Sequence, residues 1–126
     1  DTYGHEAGDV VLQLVSHRME TAVREEDIVA RWGGEEFLIL LPELSLPEAL
    51  HVAERIRETI STEPVIYQGA KLEITVTLGA AALDVNLGME ESIKRADQAL
   101  YEGKRQSKNC VAYCGAEGQC LVCREA

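Results

Sequence analysis

Two apolar segments joined by a short glycine turn constrain the fold of this chain more than any other feature. Residues 28–32 are mostly apolar, and residues 37–41 are apolar at every position. Between them lies Gly33-Gly34-Glu35-Glu36, and glycines at such a position are typical of a β-hairpin turn. A strand that is apolar throughout is usually covered on both faces. The pattern therefore predicts a hairpin inside a sheet against which helices pack.

The rest of the chain alternates between helical and strand patterns. Apolar residues recur at helical spacing in three segments, residues 6–23, 45–61 and 90–105. Ser45-Leu-Pro-Glu48 has the spacing of a capping box and predicts where the second helix begins. Residues 72–78 alternate as a half-solvated strand does, Gly79 then permits close packing, and residues 110–113 predict a short last strand. The order predicts an α+β domain.

Length and charge limit the classes of protein to which the chain can belong. The 126 residues suffice for one domain, which we place at residues 1–114, with a cysteine-containing tail at residues 115–126. A net charge of −10 argues against a surface for nucleic acid, although metal ions would let an acidic site bind one nucleotide. No apolar run reaches the roughly 20 residues of a membrane span, and no signal peptide is visible. We expect a cytoplasmic domain, which is compatible with a membrane-anchored parent protein.

Adjacent carboxylates at the tip of the hairpin allow two interpretations. Glu35 and Glu36 repel each other, and a divalent cation would remove that cost by taking both as oxygen ligands. Gly33 and Gly34 would let a ligand approach the backbone closely. The simpler interpretation is a solvated hairpin with two surface acids, because acidic turns are common. Spacing alone favours the simpler interpretation.

Four sequence blocks in order change this balance. They are Asp1-Thr-Tyr-Gly-His-Glu-Ala-Gly-Asp9, Arg31-Trp-Gly-Gly-Glu-Glu-Phe37, the strand at residues 72–81, and Arg95-Ala-Asp-Gln-Ala-Leu-Tyr-Glu-Gly-Lys104. Together they resemble GGDEF-family diguanylate cyclase domains over residues 1–113, in a GGEEF variant. The resemblance implies a fold like that of class III adenylyl cyclases and polymerase palms, which is a ferredoxin-like central antiparallel sheet flanked by helices.

The resemblance also implies an activity. GGDEF domains work as a homodimer in which each domain holds one GTP, and they condense two GTP molecules into cyclic di-GMP with release of pyrophosphate. The cofactor is Mg²⁺ (or Mn²⁺). By position, Glu35 would be a metal ligand, and Glu36 would be a second ligand or would help to deprotonate the attacking 3′-hydroxyl.

Other positions of the family motifs would bind the nucleotide. Gly33 and Gly34 would line it, Asp9 would accept hydrogen bonds from the guanine edge, and Lys104 and Lys108 would contact the terminal phosphates. Asp9 also suits the dipole at a helix N-terminus, and Lys104 suits the dipole at a helix C-terminus, so neither needs a ligand to explain it.

The chain departs from the family pattern at several positions. Ser107-Lys108-Asn109 stands where the family usually has Gly-Arg-Asn, and lysine lacks the bidentate fork of arginine. Gly103 replaces the usual Ala, at a cost of about 1 kcal/mol in a helix. Thr77 and Leu78 replace the Ser and Ile of the "TVSIG" strand.

A larger departure concerns the strand that precedes these blocks in the family. A strand of the type "DxDxFKxxN" would stand before Asp1, at the centre of the sheet, and would supply a metal-binding Asp and a guanine-binding Asn. Without it, the sheet exposes unpaired backbone groups. We therefore expect this fragment to be inactive alone and to associate with a second copy, and we expect an upstream sensor domain in a longer parent.

A regulatory motif lies just before the hairpin. Arg24-Glu-Glu-Asp27 matches the RxxD inhibitory motif of the family, at which the product cyclic di-GMP binds, and Arg55 stands where the family often has a second arginine for this ligand. Without the resemblance, a surface salt bridge is the better interpretation. A rival to the enzyme is a GGDEF-like module that binds cyclic di-GMP through Arg24 and Asp27 without catalysis.

The cysteines and histidines complete the candidates. All four cysteines lie in the last 17 residues, at Cys110, Cys114, Cys120 and Cys123. Only the last pair has C-x2-C spacing, so two interpretations stay open: a zinc or iron–sulfur site, or small buried residues and free thiols. A scaffold whose tail binds a metal is a third hypothesis for the function. The histidines lie on separate elements and indicate neither a triad nor a histidine metal site; they are His5, His17 and His51.

Overall fold

Three helices and seven short strands form the part of the chain that the computed structural model describes, residues 4–115 and 120–123, with side chains from residue 8 onward. The helices are α1 (Gly4–Ala22), α2 (Leu46–Thr62) and α3 (Gly88–Gln106). The strands are β1 (Ile28–Gly33), β2 (Glu36–Leu40), β3 (Val65–Tyr67), β4 (Ala70–Leu72), β5 (Leu78–Ala80), β6 (Val111–Cys114) and β7 (Cys120–Val122). All three predicted helices are present within about two residues of their expected ends.

The main hydrophobic core lies between α1 and α2. Its buried members come equally from the two helices: Val15, Met19, Ala22, Val52, Ile56 and Ile60. Half-buried side chains of the β1–β2 hairpin and of residues 74–78 pack against this cluster. The two helices therefore carry the β1–β2 hairpin on one shared apolar surface, and burial of large apolar side chains of this kind is worth roughly 1.5–3 kcal/mol each.

Polar contacts fix both ends of α2. The Glu48 backbone N–H donates to Ser45 Oγ at 3.3 Å, and the Ser45 N–H donates to Glu48 Oε1 at 2.9 Å, so the predicted capping box is confirmed. At the other end, the Arg18 guanidinium donates to the carbonyls of Ile60 at 2.9 Å and Glu63 at 2.6 Å. Arg18 lies on α1, so these bonds satisfy carbonyls that a helix end leaves unpaired and also join the two helices.

The strands form three small sheets, where we expected one central sheet. The α+β class is confirmed; β1 pairs with β2, β3 pairs with β4, and β5 lies parallel to β6, which pairs antiparallel with β7. The prediction of one continuous strand over residues 72–78 is wrong, because β4 ends at Leu72 and β5 begins at Leu78. Residues 73–76 still alternate between exposed and half-buried, but a strand also requires a hydrogen-bonded neighbour, and none lies beside them in the described part of the chain.

Close backbone packing joins α3 to the β5–β6 pair. A Cβ on Gly79 would lie 2.8 Å from Leu100 Cα and closer still to the Ala96 carbonyl oxygen, so only glycine fits there. The expectation that Gly79 permits close packing is confirmed. One turn further along, Gly103 is buried, and a Cβ there would meet Thr77 Cγ2 at 3.0 Å.

The cysteine tail contributes an edge strand that the sequence did not predict. β7 pairs with β6 in a register that places Cys114 opposite Cys120, and these two form a disulfide. Cys110 is buried with a free thiol, Cys123 is half-buried with a free thiol, and no metal-binding group of three or more His, Cys, Asp or Glu occurs within residues 4–115 and 120–123. Residues 116–119 and 124–126 of the predicted tail lie outside the described residues, and the boundary at residue 114 stays a prediction. No helix in the described part is long and apolar enough to cross a bilayer.

Candidate active site

The hairpin closes through a two-residue turn, Gly34-Glu35, between β1 and β2. Gly33 pairs with Glu36, and Gly34 has a φ of 46°, in the left-handed region that glycine adopts without strain. The Arg31 side chain folds over the turn and donates from Nε at 2.9 Å and Nη2 at 2.5 Å to the Gly34 carbonyl. These bonds hold the turn in one conformation and present the two glutamates at its tip.

The register of the hairpin shifts just before the turn. Arg31 pairs with Phe37, but the next pair is Gly33 with Glu36, so Trp32 is the extra residue of a β-bulge. Trp32 is 55% exposed. Bulges of this kind twist a strand locally and change the direction of neighbouring side chains, here directly beside the glycines.

Glu35 and Glu36 are both exposed. Neither side chain makes an ion pair or hydrogen bond with another side chain of the described residues, so both carboxylates are available to a ligand. They supply hard oxygen donors, which Mg²⁺ prefers, and Mg²⁺ commonly uses one or two carboxylates and completes its shell with water and substrate phosphates. Since no third His, Cys, Asp or Glu joins them among the described residues, the hairpin fits a metal ion as part of a ligand set.

The predicted nucleotide-binding residues lie on three different elements. Asp9 is exposed in the second turn of α1, beyond the first turn in which a helix dipole favours a carboxylate, so the dipole explains it poorly. Lys104 is exposed in the last turn of α3, and Lys108 is exposed just beyond that helix. Among the described elements α3, which carries Lys104, packs only on β5, β6 and β7 and not on the hairpin.

The three predicted inhibitory residues do come together. The Asp27 carboxylate accepts hydrogen bonds from Arg24 Nε at 3.0 Å, Nη2 at 2.6 Å and the backbone N–H at 2.7 Å. Arg24 Nη2 also donates to the Pro42 carbonyl at 2.7 Å. The hydrogen bonds from Arg24 hold the pKa of Asp27 below its usual value, and the nearby Arg55 charge acts in the same direction.

The position of Arg55 explains how it joins this cluster. Its Nε donates to the Ala22 carbonyl at 2.9 Å, at the C-terminal end of α1. Arg55 therefore caps α1 from α2 and adds positive charge beside the Arg24–Asp27 pair. The arrangement contains the salt bridge that sequence alone favoured, and it also concentrates two guanidinium groups at one place on the surface.

Sequence reasoning missed the contacts that join Thr77, Asn109 and Arg57 beside Lys108. Asn109 Oδ1 accepts from Arg57 Nη1 at 3.0 Å, and the Asn109 N–H donates to Thr77 Oγ1 at 3.1 Å. The replacement of Ser by Thr77 was noticed, but nothing in the sequence pairs it with Asn109, which is 32 residues away.

The fold and the acidic hairpin define an α+β domain that is similar to known palm-like signalling domains. Its structure resembles the GGDEF domain of DgcB from Caulobacter crescentus in complex with c-di-GMP, with a TM-score of 0.85 and 31% identity over 90% of this chain and 68% of that chain. It also resembles the active GGEEF domain of a diguanylate cyclase from Vibrio cholerae, with a TM-score of 0.79 and 30% identity over 90% of this chain and 72% of that chain.

A family model described as "Diguanylate cyclase, GGDEF domain" matches residues 1–110. The chain therefore belongs to the GGDEF diguanylate cyclase domain family. It is 42% identical over 112 residues to diguanylate cyclase A of Treponema denticola, and the aligned region covers 88% of this chain and 30% of that protein. The chain spans less than a third of the length of such curated relatives.

Proposed function

We propose that this domain condenses two GTP molecules into cyclic di-GMP. The observation that carries the proposal is the hairpin turn itself, in which two glycines and two exposed, unpaired glutamates stand at a tip held by Arg31. In the reaction, the 3′-oxygen of each GTP attacks the α-phosphorus of the other. The bond to each pyrophosphate breaks, so that one cyclic di-GMP and two pyrophosphates form.

The hairpin glutamates would hold the metal and move the proton. Glu35 offers a carboxylate for Mg²⁺ or Mn²⁺, and Glu36 offers either a second ligand or the acceptor for the 3′-hydroxyl proton. Bound metal supplies positive charge to the phosphate oxygens as the transition state forms. Gly33 and Gly34 leave room for the nucleotide to approach the backbone, because a Cβ at either position would meet only open space.

The remaining contacts would fix the nucleotide and pair two domains. Asp9 offers acceptors for the guanine edge, while Lys104 and Lys108 offer charge to the terminal phosphates, as phosphate-binding lysines do. Each domain would hold one GTP, so catalysis needs a homodimer that brings two sites together. Positioning of this kind supplies much of the rate in phosphoryl transfer.

Product inhibition would use the cluster of Arg24, Asp27 and Arg55. Both guanidinium groups can donate to phosphate or to guanine acceptors, whereas the Asp27 side chain is fully covered and bonded to Arg24, so it would have to be uncovered before it could accept from a guanine edge. Binding there would require Arg24 to share its donors between Asp27 and the ligand.

The enzyme proposal is tested in the full-length protein. Incubation of the folded dimer with GTP and Mg²⁺ should yield cyclic di-GMP and pyrophosphate, and Glu36→Gln should reduce the rate by about 10²-fold or more, as loss of a proton-transfer group does. Glu20→Gln, an exposed change on α1, is the matched control and should leave the rate unchanged. A folded dimer that binds cyclic di-GMP but makes none would instead support the non-catalytic module.

The inhibitory site is tested by calorimetry with cyclic di-GMP. Arg24→Ala and Arg55→Ala should each weaken binding by about tenfold or more, the equivalent of one charged hydrogen bond. Thermal unfolding of each variant checks that it folds. Unchanged affinity in both variants would contradict the assignment.

A further inference from the structure

The loop that carries Lys108 has an uncommon backbone. It connects α3 to β6, and two consecutive residues, Lys108 and Asn109, have positive φ values of 54° and 45°. Asparagine tolerates this left-handed region, but lysine rarely adopts it. A conformation of this kind persists only where surrounding contacts determine it, and such strain is found most often at functional sites.

Three contacts from different elements hold this loop. The Lys108 N–H donates to the Gly103 carbonyl at 2.9 Å, at the end of α3. The Asn109 N–H donates to Thr77 Oγ1 at 3.1 Å, just before β5. Arg57 on α2 donates to Asn109 Oδ1 at 3.0 Å. The loop is thus tied to α3, to the segment before β5 and to α2.

Arg57 is itself held in place. Its Nε and Nη2 donate to the two carboxylate oxygens of Glu54 at 2.7 and 2.8 Å, in a bidentate pair one turn apart on α2. The guanidinium plane is therefore oriented before it meets Asn109, which makes Arg57 a rigid donor.

We propose that Thr77, Asn109 and Arg57 are positioning residues that fix the backbone at Lys108, so that its ammonium group meets the terminal phosphates of the bound nucleotide. This inference rests on the proposed function, because it deepens the role given there to Lys108. A lysine lacks the planar fork with which an arginine aligns itself on a phosphate, so its grip depends more on where the backbone starts the side chain. The strained loop supplies that starting point.

The test separates terminal-phosphate binding from general stability. We would measure by calorimetry the affinity of the full-length protein for 3′-deoxy-GTP, which has all three phosphates but no attacking hydroxyl, and for GMP. Thr77→Val removes the hydroxyl and keeps the shape, and it should weaken 3′-deoxy-GTP about fivefold, the equivalent of one hydrogen bond, while GMP binding stays unchanged. Thr77→Ser keeps the hydroxyl and is the matched control, which should bind both nucleotides as the parent does.

Two further variants examine the path of the effect. Asn109→Gly allows the left-handed backbone but removes the amide that Arg57 holds, and it should also weaken 3′-deoxy-GTP selectively. Lys108→Ala should weaken 3′-deoxy-GTP about tenfold, and adding Thr77→Val to it should cause no further loss, because both changes remove the same contact.

The possible outcomes distinguish the two levels of the proposal. If Lys108→Ala weakens 3′-deoxy-GTP but Thr77→Val and Asn109→Gly do not, the positioning role is wrong and the proposed function stands. Equal weakening of GMP, or additive losses from Lys108→Ala and Thr77→Val, would also contradict positioning. A parent protein that binds neither nucleotide would overturn the proposed function itself.

Discussion

The contact between Gly103 and Thr77 predicts that two departures from the family pattern compensate each other. The pattern has Ser and Ala where this chain has Thr77 and Gly103. A Cβ on Gly103 would lie 3.0 Å from Thr77 Cγ2, 3.2 Å from Cys110 Sγ and 3.3 Å from Ala112 Cβ, all shorter than an ordinary carbon contact. Replacing Thr77 with serine deletes the nearest of these atoms. Compared with the family pattern, this chain lacks a methyl group on the helix at Gly103 and has an additional one on the neighbouring segment at Thr77.

The magnitude of this coupling follows from two opposing terms. Gly103→Ala gains about 1 kcal/mol of helix propensity, but it overfills a packed site, which costs about 1–3 kcal/mol. In the parent we expect a net loss of about 1 kcal/mol in the free energy of unfolding. With Thr77→Ser the closest contact is absent, and the same Gly103→Ala change should be nearly neutral. The coupling energy is therefore about 1 kcal/mol, as is found for residues in contact.

Urea denaturation of the parent, of Gly103→Ala, of Thr77→Ser and of the double variant gives the four free energies of unfolding that a double-mutant cycle requires. The Ser hydroxyl can still accept from the Asn109 N–H, so the hydrogen bond of Thr77 is retained throughout. Thr77→Val is the control background, because it keeps a methyl at the crowded position and should leave the cost of Gly103→Ala unchanged. Additive effects within about 0.5 kcal/mol in the Ser background would refute the steric reasoning.

Three other changes probe the structure more simply. Gly79→Ala should lower the free energy of unfolding by about 3 kcal/mol or more, since the new Cβ meets helix backbone that cannot move aside; a loss below 1 kcal/mol in thermal or urea unfolding would contradict this. Arg24 lowers the pKa of the Asp27 carboxyl below 3.8, so the stability that the pair adds is present above about pH 4 and is lost as the pH falls through the lower folded-state pKa. Asp27→Asn should flatten that acid-side loss in a pH series of unfolding experiments, and an unchanged slope would refute the assignment. Reduction of the Cys114–Cys120 disulfide, which closes a loop of sequence separation 6, should cost about 2 kcal/mol; the Cys114→Ser/Cys120→Ser variant should lose the same amount and no longer respond to reductant.

The elements that local sequence determines were predicted well. The hairpin turn within residues 33–36 and the capping box from Ser45 to Glu48 each depend on residues within a few positions of one another, and both are confirmed. Gly79 was also recognised, because a glycine between a strand pattern and small residues indicates close packing. These features follow from backbone geometry that the sequence states directly.

Features that depend on strand pairing or on distant partners were predicted poorly. The alternation of residues 72–78 correctly showed which side chains face the core, but it cannot report whether a neighbouring strand is present. The pairing of Cys114 with Cys120 depends on the register of β6 and β7, which C-x5-C spacing leaves open. The link between Asn109 and Arg57 spans 52 residues and exists only in the folded chain.

The candidate site was predicted by resemblance more than by chemistry. Glu35 and Glu36 are exposed at the end of the hairpin, and their adjacent charges alone favoured a solvated turn over a metal site. The inhibitory cluster is an intermediate case, because the spacing of Arg24 and Asp27 predicts their salt bridge, while the approach of Arg55 from α2 required the structure.

The close approach at Gly79 has a consequence for how the domain can evolve. Thr77 and Gly103 can exchange a methyl group between them, so a change at one can be repaired at the other. At Gly79 the atoms in the way belong to the backbone of α3, and no side chain can be trimmed to make room. A substitution of Gly79 therefore cannot be compensated by a change at any single other residue, and we expect glycine to be retained there. At Thr77 and Gly103, in the same helix–strand interface, paired substitutions can accumulate without loss of stability.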